Sequence, residues 1–347
     1  MSTIATRGRG NLYRAVFCAI LFCWSIDPTL CGVTDDPINT RIAWWREARF
    51  GVMIRWGLHA LPGSVWNGIR LQGPSDWIQF RAQVPSSEYA TLAAQFNAPL
   101  FNPDEWIQSV KLAGAQYLIL PAKSYDGFCL FNSDLTDFKI TATPFGRDLI
   151  AEVSEVCRRE NVRFGIYYSI LDWHHPDYLP RGPDSPRPWD ERPTDTANYD
   201  RYIDYVKQQL EILLTRYGKI DILWFDGAWE HTPAENHAEE IIRHIHSLQP
   251  DILINNRLGV SGDFISSDSI PEHPDQPWEL GISLNDTWGF KRYDVDWKES
   301  SEIITGIANC TSAGGNLLLN IGPEDSGAFP PPVRQRLNEI GESLRAN

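Results

Sequence analysis

Residues 219–226 read Lys-Ile-Asp-Ile-Leu-Trp-Phe-Asp, an almost unbroken apolar run that ends in a carboxylate. A strand buried on both faces, as in a parallel sheet, shows such a run instead of alternating polar and apolar residues. Similar runs recur at 50–56, 116–121, 162–169, 252–256 and 316–322. Stretches with apolar residues at helical spacing lie among these runs, at 103–114, 147–160, 198–217, 234–248, 299–310 and 332–345. The alternation predicts a parallel α/β fold.

The architecture we expect is a (β/α)8 TIM-like barrel, forming a single catalytic domain over residues 37–347. The chain has 347 residues, enough for a barrel of about 250 residues with insertions. A doubly wound sheet is the alternative, but it usually carries a Gly-rich phosphate turn after its first strand. Here the first strand is followed by Arg55-Trp56-Gly57-Leu58-His59. The long connections 171–196 and 258–288 both follow predicted strands, so they are expected as functional loops on the C-terminal face of the barrel.

Residues 1–31 are predicted to be a signal peptide. Arg7, Arg9 and Arg14 precede the apolar stretch 15–24, which is too short to span a bilayer as a helix. We therefore expect a secreted or periplasmic protein, or one in a lysosomal-type compartment of a eukaryote, without a membrane contact after cleavage. The alternative is a membrane anchor that is retained. The formal net charge of −14 argues against nucleic acid as a partner, because phosphate binding needs clustered Lys and Arg.

Asp226 is the first candidate catalytic residue, because it ends a buried strand that would open into a polar mouth. The alternative is a turn aspartate before a glycine. Glycoside cleavage needs a second carboxylate, and the distance between the two sets the stereochemistry. Asp268, Glu272 and Glu279 all follow the fifth predicted strand. Arg257, at the end of that strand, could hold a hydroxyl, steady Asp226 or form a structural salt bridge.

Fourteen tryptophans are many for a chain of this length. Sugar rings pack their C–H faces on aromatic rings, so Trp-rich clefts suit carbohydrates. Trp56, Trp66, Trp224 and Trp288 are the candidates for sugar contacts, because they lie at strand ends or in loops; most of the others are expected in the core. An oligosaccharide or polysaccharide is the predicted partner.

A series of short motifs, found in the same order along the chain, resembles the α-L-fucosidases of glycoside hydrolase family 29. The motifs are 45–51 (WREARFG), 101–106 (FNPDEW), 123–128 (KSYDGF), 167–169 (YYS), 172–176 (DWHHP), 224–227 (WFDG), 255–259 (NNRLG), 288–290 (WGF) and 315–323 (GNLLLNIGP). The resemblance implies a (β/α)8-like barrel and a retaining two-step mechanism with Asp226 as nucleophile. Together with the Trp and Arg candidates above, the predicted substrate-binding residues are Arg55, Trp56, Trp66, Lys123, Ser124, Tyr125, Asp126, Tyr168, Trp224 and Arg257.

The chain departs from the family where the family reads its sugar. A family His before Trp-Gly is Arg55 here, and Ser124 and Tyr125 replace two adjacent histidines. The usual Glu-Trp pair of the next loop is interpreted as Val65-Trp66. Changing the groups that pair with sugar hydroxyls changes the substrate that is accepted. A related L-sugar or a sulfated sugar is therefore a candidate substrate.

The acid/base of the family is a Glu in a Gly-Asp-Tyr/Phe-x-Thr-x-Glu stretch, where this chain has Asp268. Glu272 follows four residues later, and Glu279 is a third candidate. An Asp side chain is one methylene shorter than Glu, so its loop would have to approach the nucleophile more closely. We favour Asp268 over Glu272.

Arg55 decides the substrate class, because a guanidinium stays charged at any working pH and is costly to bury alone. Its partner is either a carboxylate of the protein, which leaves plain fucose as a substrate, or an anionic group such as the sulfate of the substrate itself. A protein carboxylate within hydrogen-bond reach would rule against the anionic substrate.

The leading functional hypothesis is a retaining exo-α-glycosidase. The alternative is a carbohydrate-binding protein on a barrel that has lost its chemistry, motivated by the missing histidines. A metal-dependent hydrolase using His174 and His175 is disfavoured, since adjacent histidines in a loop rarely bind one ion. No metal and no other cofactor is expected, and a homo-oligomer is left open.

Overall fold

The structure, a computed structural model, describes residues 37–178, 187, 189–192, 195–271, 274 and 276–346. The signal peptide predicted for residues 1–31 and the candidate acid/base Glu272 lie outside the described residues. Within the described part of the chain, none of the helices combines the length and the apolar character needed to cross a membrane.

Eight parallel strands form the main sheet, and a short antiparallel hairpin lies apart from it. In chain order the strands are β1 (Phe50–Ile54), β2 (Val65–Trp66), β3 (Ile69–Arg70), β4 (Tyr117–Lys123), β5 (Arg163–Ser169), β6 (Ile222–Asp226), β7 (Leu253–Ile254), β8 (Ile265–Ser267), β9 (Trp278–Ser283) and β10 (Asn316–Ile321). The hairpin is β2–β3, and the order in the main sheet is β7-β6-β5-β4-β1-β10-β9-β8.

The two outer strands of this sheet meet, which closes the barrel. A parallel bridge joins Asn255 to Phe264, just beyond β7 and just before β8. The Asp263 N–H donates to the Ile254 carbonyl at 2.7 Å, and the Ile254 N–H donates to the Asp263 carboxylate at 2.8 Å. The predicted (β/α)8-like barrel is thereby confirmed.

Helices separate most of the strands along the chain. They are α1 (Pro37–Ala48), α2 (Ile78–Arg81), α3 (Ser86–Ala90), α4 (Pro103–Leu112), α5 (Leu149–Arg159), α6 (Tyr199–Arg216), α7 (Ala238–Leu248), α8 (Ser300–Ser312) and α9 (Pro331–Ala346). Local chemistry fixes where several begin: the side chains of Asn102, Asp148 and Asn198 accept hydrogen bonds from first-turn N–H groups of α4, α5 and α6. The six predicted helices are all present, with ends within a few residues of those expected.

The connection 258–288, expected as one long loop, contains β8 and β9. Neither strand shows the continuous apolar run of a fully buried strand, because both are partly exposed. β8 carries two Ser residues, and β9 carries Glu, Gly and Ser. Sequence periodicity therefore missed the two strands that complete the barrel.

Polar side chains also occupy the barrel interior. A Cβ at Gly51 of β1 would lie 2.2 Å from the Tyr117 ring, so only glycine lets that ring fill the barrel. The Tyr117 hydroxyl donates to the buried carboxylate of Glu279 on β9. This contact fixes Glu279 inside the barrel, below the loops that carry the site.

Candidate active site

A cavity of about 300 Å³ opens at the C-terminal ends of the strands, the face on which active sites of such barrels lie. It combines charged side chains with aromatic walls. Its lining is Met53, Arg55, Pro74, Asp76, Trp77, Tyr125, Tyr167, Trp224, Asp226, Arg257, Ser266, Asp268, Gly281 and Trp288.

Asp226 ends β6 and lies at this cavity, buried to all but 6 %. The side chain of Asn255 pairs with both backbone groups of the preceding Phe225, at 2.9 and 3.0 Å. Gly227 then turns the chain at a φ of 74°, where a Cβ would lie 2.6 Å from the Ser169 hydroxyl. The strand end is therefore held by contacts on both sides, which fixes the direction of the Asp226 carboxylate.

Two phenols and one guanidinium surround this carboxylate. Tyr125 and Tyr167 both donate hydrogen bonds to its Oδ2, the second at 3.0 Å. Arg257 Nη1 lies 3.6 Å from its Oδ1. Oδ2 is thus held from two directions, while Oδ1 lies on the Arg257 side.

Arg257 also links Asp226 to Asp268. Its Nη2 donates to Asp268 Oδ1 at 3.0 Å, and the guanidinium lies over the Trp224 ring at 5.0 Å from its centroid. Burial lowers the Arg257 pKa, but the two carboxylates outweigh that effect and raise it overall. Asp268 itself is exposed at the rim of the cavity, with 86 % of its side-chain surface accessible.

Glu279, the third candidate for the acid/base, lies below the cavity and outside its lining. Its carboxylate accepts hydrogen bonds from Tyr117 and, at 3.1 Å, from Trp224 Nε1. Burial raises the pKa of Glu279 to about 7. It supports the Trp224 wall from beneath and has no surface toward a substrate.

Arg55 is paired inside the protein, with a residue that sequence reasoning missed. Its Nε and Nη2 donate to Asp76 Oδ2 at 2.9 and 2.6 Å, and its Nη2 donates to the Tyr167 hydroxyl at 3.1 Å. The guanidinium lies over the Tyr167 ring, 4.0 Å from the centroid. The charge of Arg55 therefore has a protein partner.

Comparison of the whole chain with known proteins identifies its family. The family model described as alpha-L-fucosidase matches residues 31–347. The chain belongs to the α-L-fucosidase family.

Individual fucosidases agree over most of the chain. The tissue alpha-L-fucosidase of Rattus norvegicus is 31 % identical over 331 residues, which cover 88 % of this chain and 68 % of the relative. Alpha-L-fucosidase isoenzyme 1 from Paenibacillus thiaminolyticus is 38 % identical with a TM-score of 0.82, covering 89 % of this chain and 76 % of its own. An alpha-L-fucosidase from Lactobacillus casei in complex with alpha-L-fucose product is 32 % identical with a TM-score of 0.81, covering 89 % and 98 %.

These similarities confirm an α-L-fucosidase-like glycoside hydrolase, an enzyme whose substrate is an oligosaccharide. The fold inferred from the motifs is confirmed with it. Neither the geometry nor the comparisons favour the alternative of a non-catalytic sugar-binding protein.

Four of the expected substrate contacts lie together around Asp226, namely Arg55, Tyr125, Trp224 and Arg257. Ser124 lies behind them, buried, with its hydroxyl 3.5 Å from Arg55 Nη2. Trp288 lines the cavity as well.

Trp56 and Trp66 were expected at the sugar and lie elsewhere. Trp56 is fully buried, packs on Phe101 and donates to the Glu324 carbonyl at 2.8 Å. Trp66 belongs to the β2–β3 hairpin and stacks on Tyr89. Asp76-Trp77, later in the same loop, is the acidic residue–Trp pair that lines the cavity. The interpretation of Val65-Trp66 as the counterpart of the Glu-Trp pair is therefore corrected to Asp76-Trp77.

Lys123, Asp126 and Tyr168 also lie away from the cavity, because each is buried in an internal network. Lys123 donates to Asp172 at 3.0 Å. Asp126 accepts from the Phe128 N–H at 3.1 Å, and burial raises its pKa to about 6. The Tyr168 hydroxyl donates to the Gln209 side chain at 2.7 Å. All three are buried and lie outside the lining of the cavity.

Two residues next to Asp226 were not foreseen as site residues, Asp76 and Tyr167. Tyr167 lay within a predicted strand, where an unbroken apolar run does not show which side chains face the barrel mouth. For Asp76 a signal existed, since Asp-Trp in the loop after the first strand is close to the Glu-Trp of the family.

His174 and His175 lie in aromatic surroundings. The His174 ring stacks on Phe138 at 4.0 Å between centroids, and the His175 ring packs on Tyr205 at 4.4 Å. Among the residues that the structure describes, no group of three or more His, Cys, Asp or Glu side chains has the arrangement of a metal site.

Proposed function

We propose that the chain removes terminal α-L-fucosyl or closely related neutral L-sugar residues by a retaining, two-step mechanism with Asp226 as the nucleophile. The observation that carries the proposal is the setting of Asp226, a strand-end carboxylate held by two phenols and facing Arg257 at a cavity of sugar size.

The first step is an attack by Asp226 on the anomeric carbon. Oδ2 accepts two phenolic hydrogen bonds, so we assign the attack to Oδ1. A bond forms between Oδ1 and the anomeric carbon, and the bond from that carbon to the leaving oxygen breaks. The acid/base carboxyl gives its proton to the leaving oxygen.

The second step reverses these roles. The acid/base carboxylate takes a proton from water, the water oxygen bonds to the anomeric carbon, and the ester to Asp226 breaks. Asp268 is our candidate for this group, because it lines the same cavity and shares the Arg257 guanidinium with Asp226. A shared guanidinium is compatible with the roughly 5 Å between carboxylates that retention needs.

The charges at the cavity favour a neutral sugar. The lining contains two arginines and three aspartates, a formal charge of −1, and Asp76 already occupies Arg55. This internal carboxylate partner of Arg55 argues against an anionic substrate. Asp76 Oδ1 is itself buried and has no hydrogen-bond partner among the described residues.

The test of the nucleophile is the Asp226→Asn substitution. We expect it to abolish hydrolysis of an aryl α-L-fucoside while the circular dichroism spectrum stays that of the native fold. Azide should rescue the Asp226→Gly variant and give a fucosyl azide of inverted configuration, as covalent catalysis requires. Asp200→Asn is the matched control, since Asp200 is exposed on α6; full activity in Asp226→Asn would overturn the assignment.

We further propose that residues 1–31 direct export and are removed. The support is the order of basic and apolar residues in 7–24. Mass spectrometry of the protein secreted by its natural host should give a mature chain that begins near residue 32. An intact N-terminus on the exported protein would contradict this.

A further inference from the structure

Trp229 is exposed at the edge of the active site. Of the tryptophans in the described residues it alone is mostly accessible, with 54 % of its surface exposed. An aromatic side chain beside a cavity offers a flat face on which a sugar ring can pack. Trp229 follows Asp226 by three positions in the loop after β6, so its place is set by the strand that holds the nucleophile.

The indole of Trp229 lies beside the aromatic rings of two cavity residues. It lies nearly parallel to the Trp77 ring, with 6.1 Å between centroids and 16° between planes, and its centroid is 6.0 Å from that of Tyr125. Trp77 and Tyr125 both line the cavity, and Tyr125 donates to Asp226. An aromatic wall therefore runs from the nucleophile outward to the exposed Trp229.

Trp77 also borders a second open space. A second cavity of about 450 Å³ is lined by Leu71, Gln72, Trp77, Phe80, Arg81 and Gln83. Trp77 lines both cavities. The side chains of Gln72, Arg81 and Gln83 offer hydrogen-bond donors of the kind that sugar hydroxyls need.

We propose that Trp229, with Trp77, is the platform for the leaving-group sugar, a pyranose ring joined to the fucose that is cleaved. The ring packs a C–H face on the exposed indole while the fucosyl residue occupies the 300 Å³ cavity. This assignment rests on the proposed function, because only a hydrolase that cleaves a glycosidic bond has a leaving-group sugar to bind at its mouth.

The test compares two substrates that share the fucosyl residue. α-L-Fucosyl fluoride carries no leaving-group sugar, whereas a fucosyl disaccharide carries one; the disaccharide is the best substrate from a panel of linkages to N-acetylglucosamine, glucose and galactose. In Trp229→Ala, the ratio of kcat/KM for the disaccharide to kcat/KM for the fluoride should fall at least tenfold, about 1.4 kcal/mol. Any disturbance of the fucose cavity affects both substrates and cancels in the ratio.

Two further variants make the ratio specific. Trp229→Phe should keep it within about threefold of the wild-type value, because an aromatic face remains. Tyr293→Ala removes an aromatic side chain of similar exposure that packs under Arg70, whereas Trp229 lies against the cavity residues Trp77 and Tyr125. It should leave the ratio unchanged.

The outcomes separate this inference from the proposed function. An unchanged ratio in Trp229→Ala, or a wild-type enzyme that cleaves the fluoride but no disaccharide, overturns the platform and leaves the fucosidase assignment standing. A wild-type protein that hydrolyses neither substrate overturns the proposed function, and the platform with it.

Discussion

The Asp76→Asn substitution should leave the Arg55 guanidinium buried inside the barrel without its carboxylate partner. The side chains of Arg55 and Asp76 are only 3 % and 2 % exposed, so water cannot replace the lost carboxylate. Removing one partner of a buried ion pair costs about 3–5 kcal/mol, because the other charge stays desolvated. We expect the free energy of unfolding to fall by about that amount.

Urea unfolding followed by tryptophan fluorescence measures this loss as a lower midpoint at unchanged m-value. The double variant Arg55→Met/Asp76→Leu removes both charges and keeps apolar bulk, so it should recover most of the loss. A loss below about 1 kcal/mol in Asp76→Asn, the value of an exposed pair, would refute the view that Arg55 depends on Asp76.

The same substitution also tests the substrate class. With its internal partner gone, Arg55 can pair with an anionic group on the ligand. The kcat/KM of Asp76→Asn for a sulfated aryl fucoside, relative to that for the unsulfated one, should rise more than tenfold over wild type, about 1.4 kcal/mol. If the wild-type enzyme already prefers the sulfated substrate, the internal pairing does not control specificity and the reasoning fails.

Three further outcomes are expected. Asp268→Ala should keep activity on a dinitrophenyl fucoside, which needs little protonation, and lose it on a disaccharide; if neither activity falls, the acid/base role moves to Glu272. Tyr125→Phe removes one of two hydroxyl donors to Asp226 and should lower kcat/KM on both substrates about 10- to 100-fold, the worth of a hydrogen bond to a charged group; native-like kinetics would exclude Tyr125 from holding the nucleophile. Burial raises the pKa of Glu279 to about 7 in the folded protein, against 4.5 in the unfolded chain. As pH rises between these values, the free energy of unfolding of the wild type should fall by about 3 kcal/mol relative to that of Glu279→Gln. Urea titrations at each pH measure both, and parallel curves of stability against pH would contradict this.

The fold could be predicted where strands are buried on both faces. β1, β4, β5, β6 and β10 all coincide with apolar runs, and their residues are almost entirely buried. β8 and β9 could not be predicted in this way, because exposed positions interrupt their apolar sequence and because Glu279 of β9 is a carboxylate inside the barrel. A buried Glu looks like a loop residue until Tyr117 and Trp224 are known to face it.

Residues of the candidate site could be predicted where their position at the end of a strand is enough to place them at the cavity. Asp226 and Arg257 come directly from their positions at the ends of neighbouring strands. Trp56 and Lys123 were expected at the cavity because they belong to motifs. A motif gives residue types but not the direction of each side chain. Both turn away from the mouth, one into an aromatic cluster and the other toward Asp172.

Arg55 and Asp76 are understandable only as a pair. Taken alone, Arg55 in place of a sugar-binding His suggests an anionic substrate, and a loop aspartate suggests a solvated turn. Together they form an ion pair that leaves the formal charge of the cavity at −1. The Nη2 that binds Asp76 also donates to Tyr167, and Tyr167 donates to Asp226. The Arg55 cation is therefore linked through Tyr167 to Asp226, the proposed nucleophile, and its charge is already paired before any sugar binds.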